Sequence, residues 1–337
     1  MARDNCFDFL RFIFAFVVLI AHIIVISGIG ELQPFLPYFD TYISITGFFV
    51  ISGFLITQSC LRSESLKAYF IKRCKRLLPA YWLVVIGCAL GLSIVSTLPW
   101  NQYFFSGDWF AYLAANLSFL NFIHPSLPGV FESNLVNDAS VNPALWTLKI
   151  EVAFYIILPL LLWLIKRSKR AWVWLLGIYV MAVLYRNGLH YVAEVTDKHI
   201  YTILARQLPG FMSYFAVGMG LYLYKDLFLS LKNKLLLPAV LVYLLEQYFA
   251  LEYLTPLCFG ILVVWCAYSL SFLNNFARFG DLSYGIYIYH GPLVKLALTG
   301  GLFIALGTWT ALAALIVFVL IVAFLSWHLL EKPILKR

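Results

Sequence analysis

Charge is scarce in this chain. Asp, Glu, Lys and Arg supply only 12% of its 337 residues, while apolar side chains supply 63%. Soluble domains carry roughly a quarter of their residues as charges, so the two or three soluble domains that the length alone suggests are excluded. Cysteine is sparse as well. Cys6, Cys60, Cys74, Cys88, Cys258 and Cys266 form no CxxC pair, and none lies in a long loop on the outer side. Neither a disulfide framework nor a metal site is therefore expected. A Gly-rich phosphate loop, zinc-type ligand spacing, a nucleophile elbow, internal repeats and low-complexity tracts are all missing, which removes the common signatures of soluble nucleotide-binding enzymes and hydrolases.

Long apolar runs are what remain. Ten segments suit membrane-spanning helices, at about 20 residues for a hydrocarbon core of about 30 Å. They are 7–27, 43–59, 80–98, 147–165, 171–187, 204–224, 235–251, 255–272, 282–303 and 308–330. The expected fold is an all-α polytopic membrane protein, one integral-membrane domain over 1–337 with no appended soluble domain. Lys and Arg collect on alternate connections. With the N-terminus inside, the inner segments hold 18 of the 24 Lys and Arg residues, whereas the outer loops 28–42 and 99–146 hold Glu31, Asp40, Asp108, Glu132 and Asp138 and neither Lys nor Arg. Both termini are then cytoplasmic. The net charge of +8 follows from this topology, and no nucleic-acid partner is read from it. The first segment reads as a span and not a cleaved leader, because its apolar run is long and no small-x-small cleavage site follows it.

That first span is where polar residues intrude. FDFLRFIFAFVVLIAHIIVIS holds Asp8, Arg11 and His22. A charge inside a span costs roughly 2.5–3.5 kcal/mol, so such groups usually face the bundle interior and serve a function. Eleven positions separate Arg11 from His22, which places them within about 20° on the helix wheel and about 16 Å apart along the axis. Asp8 lies three positions before Arg11 and can neutralise it on the same face.

The inner segment LKAYFIKRCKRLLPAYW, residues 66–82, places Arg73 inside its apolar stripe and Arg76 on the border, while Lys72 and Lys75 point away. A basic surface helix that only enforces topology suits the lysines. For the arginines an inward-facing site is favoured, since two guanidiniums one turn apart suit phosphate recognition. Pro79 is expected to end that helix or begin the next span. Gly47, Ser52 and Gly53 in TGFFVISGFLIT read as close helix packing. Residues 99–146 form the one long outer segment, a candidate binding loop whose aromatic patch at 109–122 equally suits the membrane interface. Glu151 falls about one turn into the fourth span, on one face with Tyr155 and Leu158. Arg186 and Arg206 are expected to snorkel, and His124, His190, His199 and His328 to lie at surfaces or interfaces. In LSYGIYIYHGPLVK, residues 282–295, Ser283, Tyr287 and His290 make one polar stripe, and Gly291-Pro292 is expected to interrupt the helix beside a cavity. With Asp8, these three are candidate pore-lining residues. A buried neutral imidazole suits a general base. The residues alone describe a membrane-embedded site joining an inner anionic ligand to chemistry deeper in the bilayer, and a proton-coupled transporter or flippase of a glycan or small acid meets the same description.

Arg11-x10-His22, FFVISGFLI at 48–56, Arg73-x2-Arg76-x2-Pro79, WTLxxExxFY from Trp146 to Tyr155, LSYGIYIYHGP at 282–292 and the terminal EKP at 331–333 occur in one chain, in that order. In these the sequence resembles acyltransferase family 3, integral-membrane enzymes that act mostly on bacterial surface glycans. The resemblance implies transfer of an acyl group, usually acetyl from cytoplasmic acetyl-CoA, to a sugar hydroxyl on the outer side of the bacterial inner membrane. It implies His22 as the catalytic histidine with Arg11 as its required partner, Arg73 and Arg76 on the CoA phosphates, and Glu151 positioning the acceptor or polarising His22. Without the SGNH domain that many members carry, the chain is similar to standalone members that modify O-antigen or other lipid-linked glycans. The implied partners are acyl-CoA, a glycan or lipid-linked saccharide acceptor and membrane lipids, with no metal cofactor.

Overall fold

Every one of the ten apolar segments contains a helix in the computed structural model, which describes residues 4–132, 139–168 and 170–336. Arg3, Asp138, Lys169 and Arg337, which enter the charge argument, lie outside the described residues. The chain is all-helical, 81% helix, with no strand among the described residues. The α-helices run α1 Phe7–Ser27, α2 Thr41–Leu61, α3 Leu66–Gly91, α4 Trp100–Phe104, α5 Gly107–Leu117, α6 Trp146–Ser168, α7 Ala171–Thr196 and α8 His199–Ala205. They continue with α9 Leu208–Leu223, α10 Lys225–Tyr248, α11 Thr255–Ser269, α12 Ser283–Thr299, α13 Leu302–Leu306, α14 Thr308–Ser326 and α15 Lys332–Lys336.

Among the described residues, seven helical segments are long and apolar enough to cross a membrane, or eight if Thr255–Ser269 and Ser271–Phe279 form one broken span. The protein is a multi-pass membrane protein. The other segments read as spans are shorter helices: α9 has 16 residues, α11 has 15 and α12 has 17.

Two expected breaks do not occur. Helix α3 runs without interruption through Pro79, because the missing hydrogen bond and ring clash of an internal proline cost about 3 kcal/mol and the same stretch buries Leu77, Ala80, Tyr81, Val84 and Val85 at about 1.5–3 kcal/mol for each large side chain. Helix α12 likewise continues through Gly291-Pro292.

The chain divides into two compact units. One comprises Met1–Arg11, Ile45–Phe70 and Ile150–Phe276. In it α2 meets α9 at a crossing where neither helix has room for a Cβ. One on Gly53 would stand 2.2 Å from the Phe215 carbonyl oxygen, and one on Gly218 would stand 2.1 Å from that of Val50. Phe49, Phe154, Phe211 and Phe215 pack beside this crossing, Phe154 stacked on Phe215 at 4.2 Å. Gly53→Ala is therefore expected to destabilise the protein by about 1–3 kcal/mol, seen as a lowered melting temperature in detergent. Gly87→Ala, where a Cβ meets nothing within 4 Å, should leave it unchanged. Arg186 does not snorkel. It is 1% exposed, donates to the Glu252 carbonyl at 2.8 Å, pairs with the Glu252 carboxylate at 3.0 Å and lies over the Tyr214 ring. A carboxylate, a carbonyl and an aromatic face replace the water that a snorkelling arginine seeks.

The other unit comprises Phe12–Ser44, Ile71–Lys149 and Ala277–Arg337. Here α12 packs on α14, and the buried Tyr81 of α3 donates its hydroxyl to the Asn116 carbonyl at 2.6 Å. Much of the aromatic patch at 109–122 becomes α5, capped at its start by Ser106, whose side chain accepts from the Trp109 amide.

Candidate active site

His22 lies five residues before the end of α1, half-buried, among Leu19, Ile23 and Ile26, which are buried. Its Nδ1 is 2.7 Å from Nε2 of His290 on α12, with ring centroids 4.9 Å apart. His290 has no exposed surface, and its Nδ1 is 3.0 Å from the Ile286 carbonyl oxygen one turn earlier. Two histidines 268 positions apart in the chain therefore meet in the interior of one unit, the more accessible of them on the first span.

The stretch before α6 holds α12 in place around this pair. Asn142 donates from Nδ2 to the Ile288 carbonyl at 2.7 Å, while its Oδ1 accepts from the Ala144 amide at 3.2 Å. Gly291 makes that approach possible, since a Cβ there would stand 2.6 Å from Asn142 Oδ1. Thr147 donates to the Ala144 carbonyl at 3.2 Å, so its hydroxyl oxygen is the acceptor for the Tyr287 hydroxyl 2.7 Å away. Further along α12 the buried Lys295 donates to the Ser140 carbonyl.

A second polar cluster surrounds Arg76. Its guanidinium lies 2.6 Å from Asp281 Oδ2 and 3.4 Å from Glu331 Oε2, with the rings of Tyr284 and Trp327 each 5.6 Å away. Asp281 also accepts from the Ser283 hydroxyl at 2.6 Å. Glu331 is 1% exposed and accepts from Ser326, which leaves the Ser326 oxygen to accept from Tyr289 at 3.0 Å. A π-helical turn over Trp327–Glu331 brings this acid inward, as single π-turns do where a helix must redirect one side chain. Arg73, one turn earlier on α3, is half-buried.

In the unit that contains them, Asp8 and Arg11 form an ion pair across one turn of α1. Glu151, half-buried on α6, accepts from the Tyr155 hydroxyl at 2.5 Å, and the Tyr69 hydroxyl donates to the Tyr155 carbonyl at 3.0 Å. The stripe of Ser283, Tyr287 and His290 is thus divided among three partners: Asp281, Thr147 and His22.

A model of the family described as an acyltransferase domain matches residues 4–328. The chain belongs to this family, acyltransferase family 3. The acyltransferase is similar to the O-acetyl transferase of Shigella phage Sf6, 27% identical over the whole of this chain and 98% of that protein. It is similar also to Nodulation protein 10 of Rhizobium leguminosarum bv. viciae, 30% identical over 98% of this chain and 93% of the relative. A third relative is the peptidoglycan O-acetyltransferase of Listeria monocytogenes, 24% identical over 88% of this chain and 51% of that longer protein. No solved structure matches the acyltransferase.

The structure adds to the residues singled out in the sequence. Asn142, Thr147 and Asp281 join them through their contacts, and Glu331 enters the sequence only as one letter of the terminal EKP motif. The available signal was an acid directly before a span at Asp281 and an acid within one turn of the last span at Glu331. Neither shows its partner until the start of α12 and the turn after α14 are folded against α3.

Proposed function

We propose that this protein is an O-acyltransferase of the bacterial inner membrane. It moves an acetyl group from cytoplasmic acetyl-CoA to a hydroxyl of a surface or lipid-linked glycan on the outer side. The observation that carries the reading is the His22–His290 pair, because it commits one nitrogen of His22 to a buried partner and leaves the other for chemistry. The names of the phage and Listeria relatives, both O-acetyl transferases and one acting on peptidoglycan, support an oxygen acceptor on a glycan. His22 then takes the proton of the sugar hydroxyl as that oxygen attacks the thioester, or accepts the acyl group and passes it on. Arg11, on the same helix, and Glu151 are its supporting residues. Arg73 meets the CoA phosphates, and Arg76 stands behind it, held by Asp281 and Glu331. Asp8 neutralises Arg11.

The topology that serves this reaction has ten spans with both termini cytoplasmic. The 17 residues of α12 reach about 26 Å at 1.5 Å per residue, close to the hydrocarbon thickness, and local thinning accommodates the remainder.

The test is release of CoA thiol by purified protein in nanodiscs supplied with acetyl-CoA and a lipid-linked glycan, with label transfer to the glycan followed in parallel. Acceptor-dependent release is expected. Solute movement across vesicles without consumption of CoA would overturn the reading in favour of a transporter. With both substrates varied, parallel double-reciprocal lines would identify the acyl-histidine route and intersecting lines direct attack.

A further inference from the structure

We infer that His290 is a positioning residue that fixes which nitrogen of His22 reacts, holding the proton of His22 on Nδ1 and leaving Nε2 as the base. The inference rests on the acyl-transfer reading for the reaction itself, and on the hydrogen-bond chain for the assignment. Ile286 offers a carbonyl oxygen, which only accepts, so the His290 Nδ1 that lies 3.0 Å from it carries a proton. A neutral imidazole has one donor and one acceptor nitrogen, so Nε2 of His290 is an acceptor. The His22 Nδ1 lying 2.7 Å from that acceptor must then be the donor. The reverse order would set two lone pairs against each other at Ile286, with a full hydrogen bond lost in the interior. The chain of donors therefore runs one way, from His22 Nδ1 to His290 Nε2 and from His290 Nδ1 to the Ile286 carbonyl.

His290 is held to this task from several sides. It has no exposed surface. Asn142 binds the Ile288 carbonyl two residues before it and closes on Gly291 one residue after it, while Thr147 holds Tyr287. His290 takes no part in bonds to substrate; it fixes a neighbour's tautomer, as the carboxylate partner of a catalytic histidine does.

The consequence for the reaction is specific. Nε2 of His22 takes the proton from the acceptor hydroxyl as its oxygen bonds to the thioester carbonyl carbon. The carbon–sulfur bond breaks, and the departing thiolate takes that proton from Nε2 to leave as CoA thiol. Throughout, Nδ1–H stays on His290 Nε2, and the bond strengthens while His22 carries the extra proton.

Nitrogen spectra of protein labelled with 15N-histidine in nanodiscs test the assignment, the His22 signals being those lost in His22→Ala. In wild type, His22 is expected with a protonated Nδ1 and a bare Nε2. His290→Leu removes the acceptor; the Nδ1-protonated form should be lost, and kcat should fall by about 10²- to 10⁴-fold with the KM for acetyl-CoA little changed. His290→Gln, whose amide oxygen reaches the level of Nε2, should retain the tautomer and recover part of kcat. His290→Asn reaches only the level of Nδ1, so it should behave as Leu and covers the case in which Leu fails to fold. An unchanged His22 tautomer in folded His290→Leu or His290→Asn, or a kcat within about threefold of wild type in either, overturns the inference. A wild-type protein that consumes no CoA would instead remove the acyl-transfer reading, and the spectra would still decide where the proton lies.

Discussion

His22→Ala is expected to abolish acceptor-dependent CoA release while the protein remains folded. General acid–base catalysis contributes about 10²- to 10⁴-fold, and loss of an acyl carrier would leave no route at all, so turnover should drop by at least two orders of magnitude. The substitution leaves a cavity on a half-buried face of α1 and strips His290 of its partner, so a modest loss of stability accompanies it. That loss is separable: a melting transition and acetyl-CoA binding should persist. If the folded variant turns over within tenfold of wild type, the reaction is centred elsewhere and α1 only scaffolds it. Full loss of turnover with retained acetyl-CoA binding places the chemistry at His22 and the donor site apart from it.

Arg76→Ala and Arg73→Ala should differ in kind, although the two arginines stand one turn apart in a single motif. Arg76 is the cation between Asp281 and Glu331, both buried. Taking it away leaves two desolvated carboxylates facing each other, and losing one partner of a buried ion pair costs about 3–5 kcal/mol. A steep fall in melting temperature is expected for Arg76→Ala, partly recovered by adding Asp281→Asn and Glu331→Gln, which remove the charges left behind. Arg73→Ala should raise the KM for acetyl-CoA. A charge-assisted hydrogen bond to phosphate contributes about 1.5–3 kcal/mol, or roughly 10- to 100-fold in affinity. An Arg76→Ala protein that melts normally but loses affinity for CoA would make Arg76 a direct ligand and its carboxylate partners secondary.

Much of this protein follows from one-dimensional physics. Apolar runs of about 20 residues, interrupted by basic connections, can only be helices in a bilayer, because the hydrocarbon leaves no other partner for backbone groups. The i,i+3 spacing that joins Asp8 to Arg11 is equally local, and the narrowness of Gly53 announced close packing. His22 and Arg73 stand out as candidates because a polar group in an apolar stripe is expensive and differs from its neighbours.

What no periodicity contains is the identity of long-range partners. Proline suggested ends at Pro79 and Pro292, but burial along α3 and α12 outweighed the local cost. Arg186 seemed near enough to water to snorkel until Glu252, distant in sequence, met it. That His22 pairs with His290 and Arg76 with Asp281 and Glu331 depends on contacts between residues more than 200 positions apart. The sequence by itself determined the all-helical membrane class and which polar side chains must be sheltered. Only the tertiary structure decided which of them shelter each other, because such pairings are set by the packing of whole helices and not by the spacing within any one of them.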